Sequence, residues 1–257
     1  MGRRLPVIAP FSSSLVVEQL NLLLLDQQVS RLHLDKKDPR SRHLEDVLKV
    51  KPGDCIDLAV QDGPKGKGRV SDAKDGSFTL EIEWLPLHEP DCYPISLVLG
   101  LARPQTCRKV LDQAASLGVR SFSFFGADKG EASYGQSTLW TSDEWKKKIE
   151  GGVAQAFASS IPTCSLFTNL DEALEQEKPG GGIALDNYEA SQPLSVVKRV
   201  KGKEYVLCIG PERGWSDRER KLLRRYHYEL FHLGPRVLRV ETAVVAALGL
   251  IAGSYWS

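Results

Sequence analysis

From residue 95 onward the chain alternates short apolar runs with stretches of helical spacing, and this alternation restricts the fold more than any other feature. Residues 95–101 read as one apolar run, the mark of a strand covered on both faces. The spacing predicts a helix over 106–117, with Val110, Leu111, Ala114 and Leu117 on one side and Gly118 ending it. Residues 119–125 predict the next strand. Ser142 is placed to cap a helix carrying Trp145, Ile149, Val153 and Ala156 on one face. Further strands are expected at 183–186 and 205–209. Ser216-Asp217-Arg218-Glu219 has the form of a capping box, opening a helix through Leu222, Leu223 and Tyr226. Strands alternating with helices imply an α/β class with a mainly parallel sheet.

Upstream the pattern is different. Residues 21–25 and 29–34 read as short strands, and 38–41 start a helix with Leu44, Val47 and Leu48 at helical spacing. Pro52-Gly53-Asp54 stops it. Strands follow at 55–60, 68–71 and 78–84, separated by a Gly-rich turn and by Asp75-Gly76; the last alternates strictly, as a half-buried strand does. Short strands with tight turns and one helix predict a small β-barrel. Pro86, Pro90 and Pro94 form a stiff linker, so the expected organisation is an extension at 1–20, a β-rich domain at 21–90 and an α/β domain at 91–257. Basic residues gather in the β-rich part: Arg40, Arg42, His43, Lys49, Lys51, Lys65, Lys67 and Arg69. They are either a solvated charged surface or a face that contacts nucleic-acid phosphates.

Composition narrows the functional classes. A net charge of +1 over 257 residues leaves any nucleic-acid binding to a local patch. Five cysteines, an odd number without a C-x-x-C pair, read as reduced thiols, with no metal site expected. No apolar run approaches the roughly 20 residues of a membrane span, and residues 242–257 read as a buried helix. The first 17 residues contain no acid and include Arg3, Arg4 and three serines. They resemble a transit peptide, but an unstructured extension or a start codon set too far upstream accounts for them equally.

Two glycine–proline turns carry the strongest functional signal. Residues 206–214 read Val-Leu-Cys-Ile-Gly-Pro-Glu-Arg-Gly, and residues 230–243 run from Leu-Phe-His-Leu-Gly-Pro to Arg-Val-Leu-Arg-Val-Glu-Thr-Ala. Each ends an apolar run and leads into a helix, so a side-by-side arrangement would gather backbone amides and charges into a small-ligand site. Arg236, Arg239 and Glu241 crowd the mouth of the most apolar helix, where such charges are costly unless paired. An Arg239–Glu241 ion pair is the simplest structural account. Common alternatives are missing. Gly63-Pro64-Lys65-Gly66-Lys67-Gly68 lacks the P-loop spacing, and no G-x-G-x-x-G follows the first α/β strand. The histidines at 33, 43, 88, 227 and 232 show no ligand spacing, and no serine or cysteine nucleophile stands beside a base.

Residues 209–215 (Ile-Gly-Pro-Glu-Arg-Gly-Trp) and 233–243 resemble the paired C-terminal signatures of the RsmE-type ribosomal RNA uridine N3-methyltransferases, which are SPOUT methyltransferases. The resemblance extends to Arg42-His43-Leu44, Val47-Leu48-Lys49 and Gly53-Asp54, to residues 114–119, and to Gln155 with Ile161-Pro162. It implies a PUA-like β-barrel followed by an α/β domain with a C-terminal trefoil knot. It also implies S-adenosylmethionine as cofactor with no metal, a homodimer joined through the knotted domain, and a cytoplasmic protein, or an organellar one if residues 1–20 are an address. The substrate implied is small-subunit (16S) ribosomal RNA or the 30S particle. Leu185, Ile209, Gly210, Pro211, Glu212, Leu233, Gly234 and Leu238 would then hold the cofactor. Arg239 would stabilise charge on the uracil oxygens, with Glu241 orienting it or taking the N3 proton and Glu212 as the alternative carboxylate. Arg42, His43, Lys49, Lys51, Arg103, Arg108, Gln155 and Arg236 would hold RNA. Two stretches depart from the family pattern: Ala154-Gln155-Ala156-Phe157 stands where Glu-Gln-x-Arg is expected, and residues 130–135 lack a lysine and a tryptophan. These departures keep open a different RNA target, or an RNA-binding assembly factor without turnover.

Overall fold

The computed structural model describes residues 22–87, 89–177, 182–197, 203–253 and 255–256; the extension expected at 1–20 lies outside them. The first sheet is built from β1 (Leu23–Leu25), β2 (Arg31–Leu34), β3 (Cys55–Val60), β4 (Lys65–Lys74) and β5 (Ser77–Trp84), in the order β1-β3-β4-β5-β2. Only β1 runs parallel to its neighbour; the other pairings are antiparallel. Leu34, Leu44, Leu58 and Leu80 are fully buried in its core.

Between β2 and β3 stands α1 (Pro39–Arg42), with Pro39 in its first turn and the Asp38 carboxylate accepting the Arg40 N–H. The helix expected through Leu48 instead widens into a π turn over His43–Val47. Leu44 and Leu48 stay buried while Val47 turns to solvent. Strand β4 is also longer than expected, because its glycines are packing residues rather than turn residues. A Cβ on Gly66 would lie 2.6 Å from the Glu83 carbonyl, and one on Gly68 would lie 2.8 Å from Leu58.

The second sheet contains β6 (Ile95–Gly100), β7 (Ser121–Phe125), β8 (Thr163–Phe167), β9 (Gly182–Leu185), β10 (Gln192–Pro193), β11 (Tyr205–Ile209) and β12 (Tyr228–His232). Its order is β10-β12-β9-β11-β6-β7-β8, and every pairing is parallel. On one face Ile95, Leu97, Leu99, Tyr205, Leu207 and Ile209 meet α2 (Pro104–Ser116), α4 (Glu144–Gln155) and α7 (Val240–Ala252). On the other, Val98, Val206 and Cys208 meet α5 (Leu170–Glu177) and α6 (Asp217–Arg225). A one-turn helix, α3 (Thr138–Thr141), precedes α4. The Ser142 hydroxyl accepts the Glu144 N–H, although Asp143 holds the cap position, and Ala156 lies exposed beyond the helix.

The two sheets are joined through the segment after α4. The Asp62 N–H donates to the Ser159 carbonyl at 2.8 Å, and the Ile161 N–H donates to the Asp62 carboxylate at 2.8 Å. Asp91 accepts the amides of Ser159 and Ser160 and pairs with Lys65 at 2.8 Å, so one carboxylate ties β4 to the second sheet. Burial raises the Asp91 carboxyl, but Lys65 and the Ser160 amide outweigh it and hold the group below its ordinary value. A depressed carboxyl stabilises the fold above its unfolded value, near pH 4, and that contribution is lost as pH falls through the lower folded value. Asp91→Asn is therefore expected to cost about 1–3 kcal/mol at neutral pH and to flatten the acid limb of a plot of Tm against pH. A series of thermal unfolding curves from pH 7 to about pH 3 checks both effects.

Candidate functional site

The carboxyl ends of β12, β9, β11 and β6 lie side by side, and the loops leaving them enclose a cleft of about 610 Å³. This is the edge where open parallel sheets take ligands, next to the point where the strand order reverses. Here the chain runs outward from β6 to β7 and β8, then returns to place β9 and β11 on the other side of β6. The volume falls within the range of small-ligand and cofactor pockets.

The two glycine–proline turns form much of the cleft, and their neighbours explain the glycines. A Cβ on Gly100 at the end of β6 would lie 2.7 Å from Pro211 Cδ and 2.8 Å from its backbone nitrogen. A Cβ on Gly210 would press into the Trp215 ring at 3.2 Å. Trp215 is 1% exposed, stacks on Phe125, and donates its indole N–H to the Leu185 carbonyl at 2.7 Å, joining the β11 loop to the end of β9. The Ser216–Glu219 capping box forms with both bonds, and the buried Glu219 also accepts the Asp128 N–H. The Lys129 ammonium donates to the Trp215 carbonyl. This loop is fixed from both ends.

Leu185, Ile209, Gly210, Pro211, Glu212, Leu233 and Leu238 all line the cleft, as do Arg239, Glu241 and Arg103. Gly234 does not: at φ +101° it turns the second loop, with nothing within 4 Å of a Cβ position. Arg42, Lys49 and Lys51 are exposed beside the first sheet, and Gln155 is exposed at the end of α4. His43 Nε2 is buried without a hydrogen-bond partner, so that nitrogen is turned away from any phosphate. The Arg108 guanidinium is held by both oxygens of Glu144 and is committed to an ion pair rather than free for RNA. Arg236 is exposed on the second loop, outside the cleft lining.

The expected Arg239–Glu241 ion pair is replaced by another. The partner of Glu241 is Lys109 on α2, at 3.1 Å, and Arg239, the exposed N-cap residue of α7, makes no ion pair among the described residues. Burial raises the Glu241 carboxyl, but its own backbone amide, Lys109 and Arg239 together hold it below the usual carboxylate range. It is therefore ionised at neutral pH and a weak proton acceptor. Glu212 accepts the Arg103 N–H with Oε1 at 2.9 Å, clipping the first loop to the start of α2. Cys107, the cysteine beneath that helix start, is pushed up to about 12 by burial, which leaves it a thiol. Among the described residues no group of three or more His, Cys, Asp or Glu side chains could hold a metal ion.

Sequence reasoning passed over a second group of cleft residues. Asp186, 4% exposed, follows β9 and accepts the Tyr188 and Glu189 amides with one oxygen. Its other oxygen binds Arg220 Nε at 2.6 Å. Burial opposes the Arg220 charge, but Asp186, Glu189 and Asp217 hold the guanidinium above its ordinary value. The available signal was the position of Asp186, a carboxylate at the carboxyl end of an apolar run. Nothing local marked Lys109 or Arg220.

The sequence profile of the RNA methyltransferase domain matches residues 88–252, more than half of the chain. The chain belongs to that family, in its RsmE-type branch. It is 28% identical over 246 residues to the ribosomal RNA small subunit methyltransferase E of Treponema pallidum, covering 90% of each chain. With the Bacillus subtilis protein of the same name it shares 24% over 219 residues, covering 82% of this chain and 86% of the other. The structure of the Neisseria gonorrhoeae ribosomal RNA small subunit methyltransferase E bound to S-adenosyl methionine superposes with a TM-score of 0.75 at 20% identity, covering 92% of this chain and 98% of that one. A Legionella pneumophila putative methyltransferase in complex with S-adenosyl methionine gives a TM-score of 0.76 at 21% identity, over the same shares. These two structures show that this RNA methyltransferase-family chain shares their fold.

Two substitutions test the cleft's construction. Gly100→Ala must displace Pro211, so it is expected to destabilise the protein by about 1–3 kcal/mol and to shift amide resonances of residues 209–215. Differential scanning calorimetry and backbone NMR check this. Lys109→Met removes the ion-pair partner of Glu241 while burial, its own amide and Arg239 remain, so the Glu241 carboxyl is expected to titrate at higher pH than in the wild type. A carboxyl-carbon NMR titration of the two proteins measures the direction of that shift.

Proposed function

We propose that this protein methylates N3 of a uridine in small-subunit ribosomal RNA, with S-adenosylmethionine as methyl donor. The observation that carries the reading is the convergence of both glycine–proline loops on one cleft, with an unpaired arginine and an ionised glutamate at the start of α7. Membership of the RsmE-type family supports the substrate class.

The residues present fit the cofactor. Gly210 brings backbone to the cleft over Trp215, where a side chain would collide, and Leu185, Ile209, Leu233 and Leu238 give apolar walls suited to a nucleoside. Exposed backbone groups with a few polar side chains are what a small-ligand site requires. When bound, the sulfonium supplies an electrophilic methyl group. What remains for the protein is to align the uracil and to stabilise its deprotonated form. Arg239, exposed at the start of α7 beside Glu241 and without an ion-pair partner among the described residues, is placed to stabilise charge developing on the uracil oxygens. Glu241, depressed and engaged by Lys109, holds positive charge in place rather than accepting the N3 proton. Glu212 keeps one oxygen free of hydrogen bonds among the described residues and is the carboxylate left to receive that proton.

Residues 21–90 form a PUA-like domain whose Arg42, Lys49 and Lys51 face RNA phosphates, and residues 91–257 form the catalytic domain with its C-terminal segment knotted. A second copy packs against α7, where Val245 is partly exposed and Trp256 lies exposed beyond the helix. The protein works where the small subunit is assembled, in the cytoplasm unless residues 1–20 are an address. Among the described residues no helix is long and apolar enough to cross a membrane.

Incubation of unmodified small-subunit ribosomal RNA with the protein and S-adenosylmethionine, followed by nucleoside mass spectrometry, is expected to yield 3-methyluridine. A methyl group on another base or on ribose overturns the assignment. Arg239→Ala is expected to lower kcat by about 10²–10³-fold, the usual cost of removing a charge-stabilising donor, with Tm and cofactor affinity unchanged. Near-normal turnover removes Arg239 from the mechanism.

A further inference from the structure

Tyr188 has no part in the site as read above. Its side chain lines the cleft yet is 82% exposed. Single exposed apolar groups are ordinary and need no explanation, but two features set this one apart. Its backbone is immobilised, because the buried Asp186 carboxylate accepts the N–H of Tyr188 at 2.5 Å and that of Glu189 at 2.9 Å. Its ring is also backed by a cation. The Arg220 guanidinium lies 5.7 Å from the ring centroid and is itself fixed by Asp186, Glu189 and Asp217. The edge of the ring stands close to Gly214, where a Cβ would lie 3.8 Å from Tyr188 Cε2. Arg103, Arg213 and Arg239 line the same opening, as does the exposed Val237.

An aromatic ring held in place, backed by a guanidinium and open to solvent, has the properties of a platform for a flat π-system. The deep walls of the cleft are already made by buried groups such as Ile209 and Trp215. A ring this exposed is placed for a ligand that arrives from solvent. We propose that Tyr188 stacks against an RNA base at the entrance of the cleft and positions the strand for methyl transfer. The inference rests on the RNA methyltransferase reading of this site and adds a substrate-positioning residue to it. Stacking is tolerant of base identity, since every base has a π-face, and the neighbouring arginines supply contacts to phosphate.

The test compares wild type, Tyr188→Ala and Tyr188→Phe in methyl transfer to unmodified small-subunit ribosomal RNA, with calorimetric titration of S-adenosylmethionine in parallel. Tyr188→Ala is expected to raise KM for RNA by about 10–100-fold while kcat, Tm and cofactor affinity stay near wild type. Tyr188→Phe, which keeps the ring, is expected to restore KM. An unchanged KM in Tyr188→Ala overturns the proposal. So does a matching loss of cofactor affinity, which would place the ring over the cofactor, or a failure of Tyr188→Phe to rescue, which would assign the effect to the hydroxyl. A wild-type protein that transfers no methyl group to the RNA refutes the underlying reading instead, so the two failures are told apart.

Discussion

The indole of Trp215, buried between Gly210 and Phe125 with its N–H on the Leu185 carbonyl, ties the loop after β11 to the end of β9. A tryptophan at such a position is worth about 3–5 kcal/mol on truncation to alanine, so its burial pins the loop to the core beneath it. From that anchor the remaining geometry follows. Gly210 and Pro211 lie against Gly100 of β6, Glu212 reaches the start of α2, and the capping box launches α6 toward Asp186. The cleft is thus rimmed by backbone whose position is set by packing, which is the condition for a preorganised site.

Charge is arranged around this rim in two sets. Lys109 and Glu241 join α2 to α7, while Asp186 and Arg220 join the β9 loop to α6. The second set is nearly dry, with side-chain exposures of 1% and 7%, and a buried pair of this kind contributes more to local geometry than to net stability. Between the two sets Arg239 is left uncompensated among the described residues. The neighbouring carboxylates Glu241, Glu212 and Asp186 already have a cationic partner or a backbone amide, so among the described residues Arg239 at the start of α7 lines the cleft without an ion pair of its own.

Much of this was legible in the sequence, for local reasons. The bounds of β11 follow from its apolar run, the capping box from its serine and glutamate, and the paired glycine–proline turns from their place at strand ends. What stayed hidden depends on strand order. Lys109 and Glu241 are 132 residues apart and meet only because α2 and α7 share one face of the sheet. Arg220 lies 34 residues from Asp186 and meets it because the loop after β9 closes over α6. Strand β8 gave little signal because it is an edge strand with three of its five residues exposed, so no apolar run marks it. In β4 the glycines read as a turn, whereas they mark the close approach of Glu83, Trp84 and Leu58. Glycine types look alike in sequence and differ only in their neighbours.

The proposal that the two glycine–proline loops form one cofactor cleft is tested by titration calorimetry of the intact protein with S-adenosylmethionine. A saturable isotherm with one cofactor per chain is expected, with amide shifts on binding confined to the loops at 186–189, 210–215 and 233–241. No heat of binding at about millimolar ligand, or shifts centred on the first sheet, would contradict it.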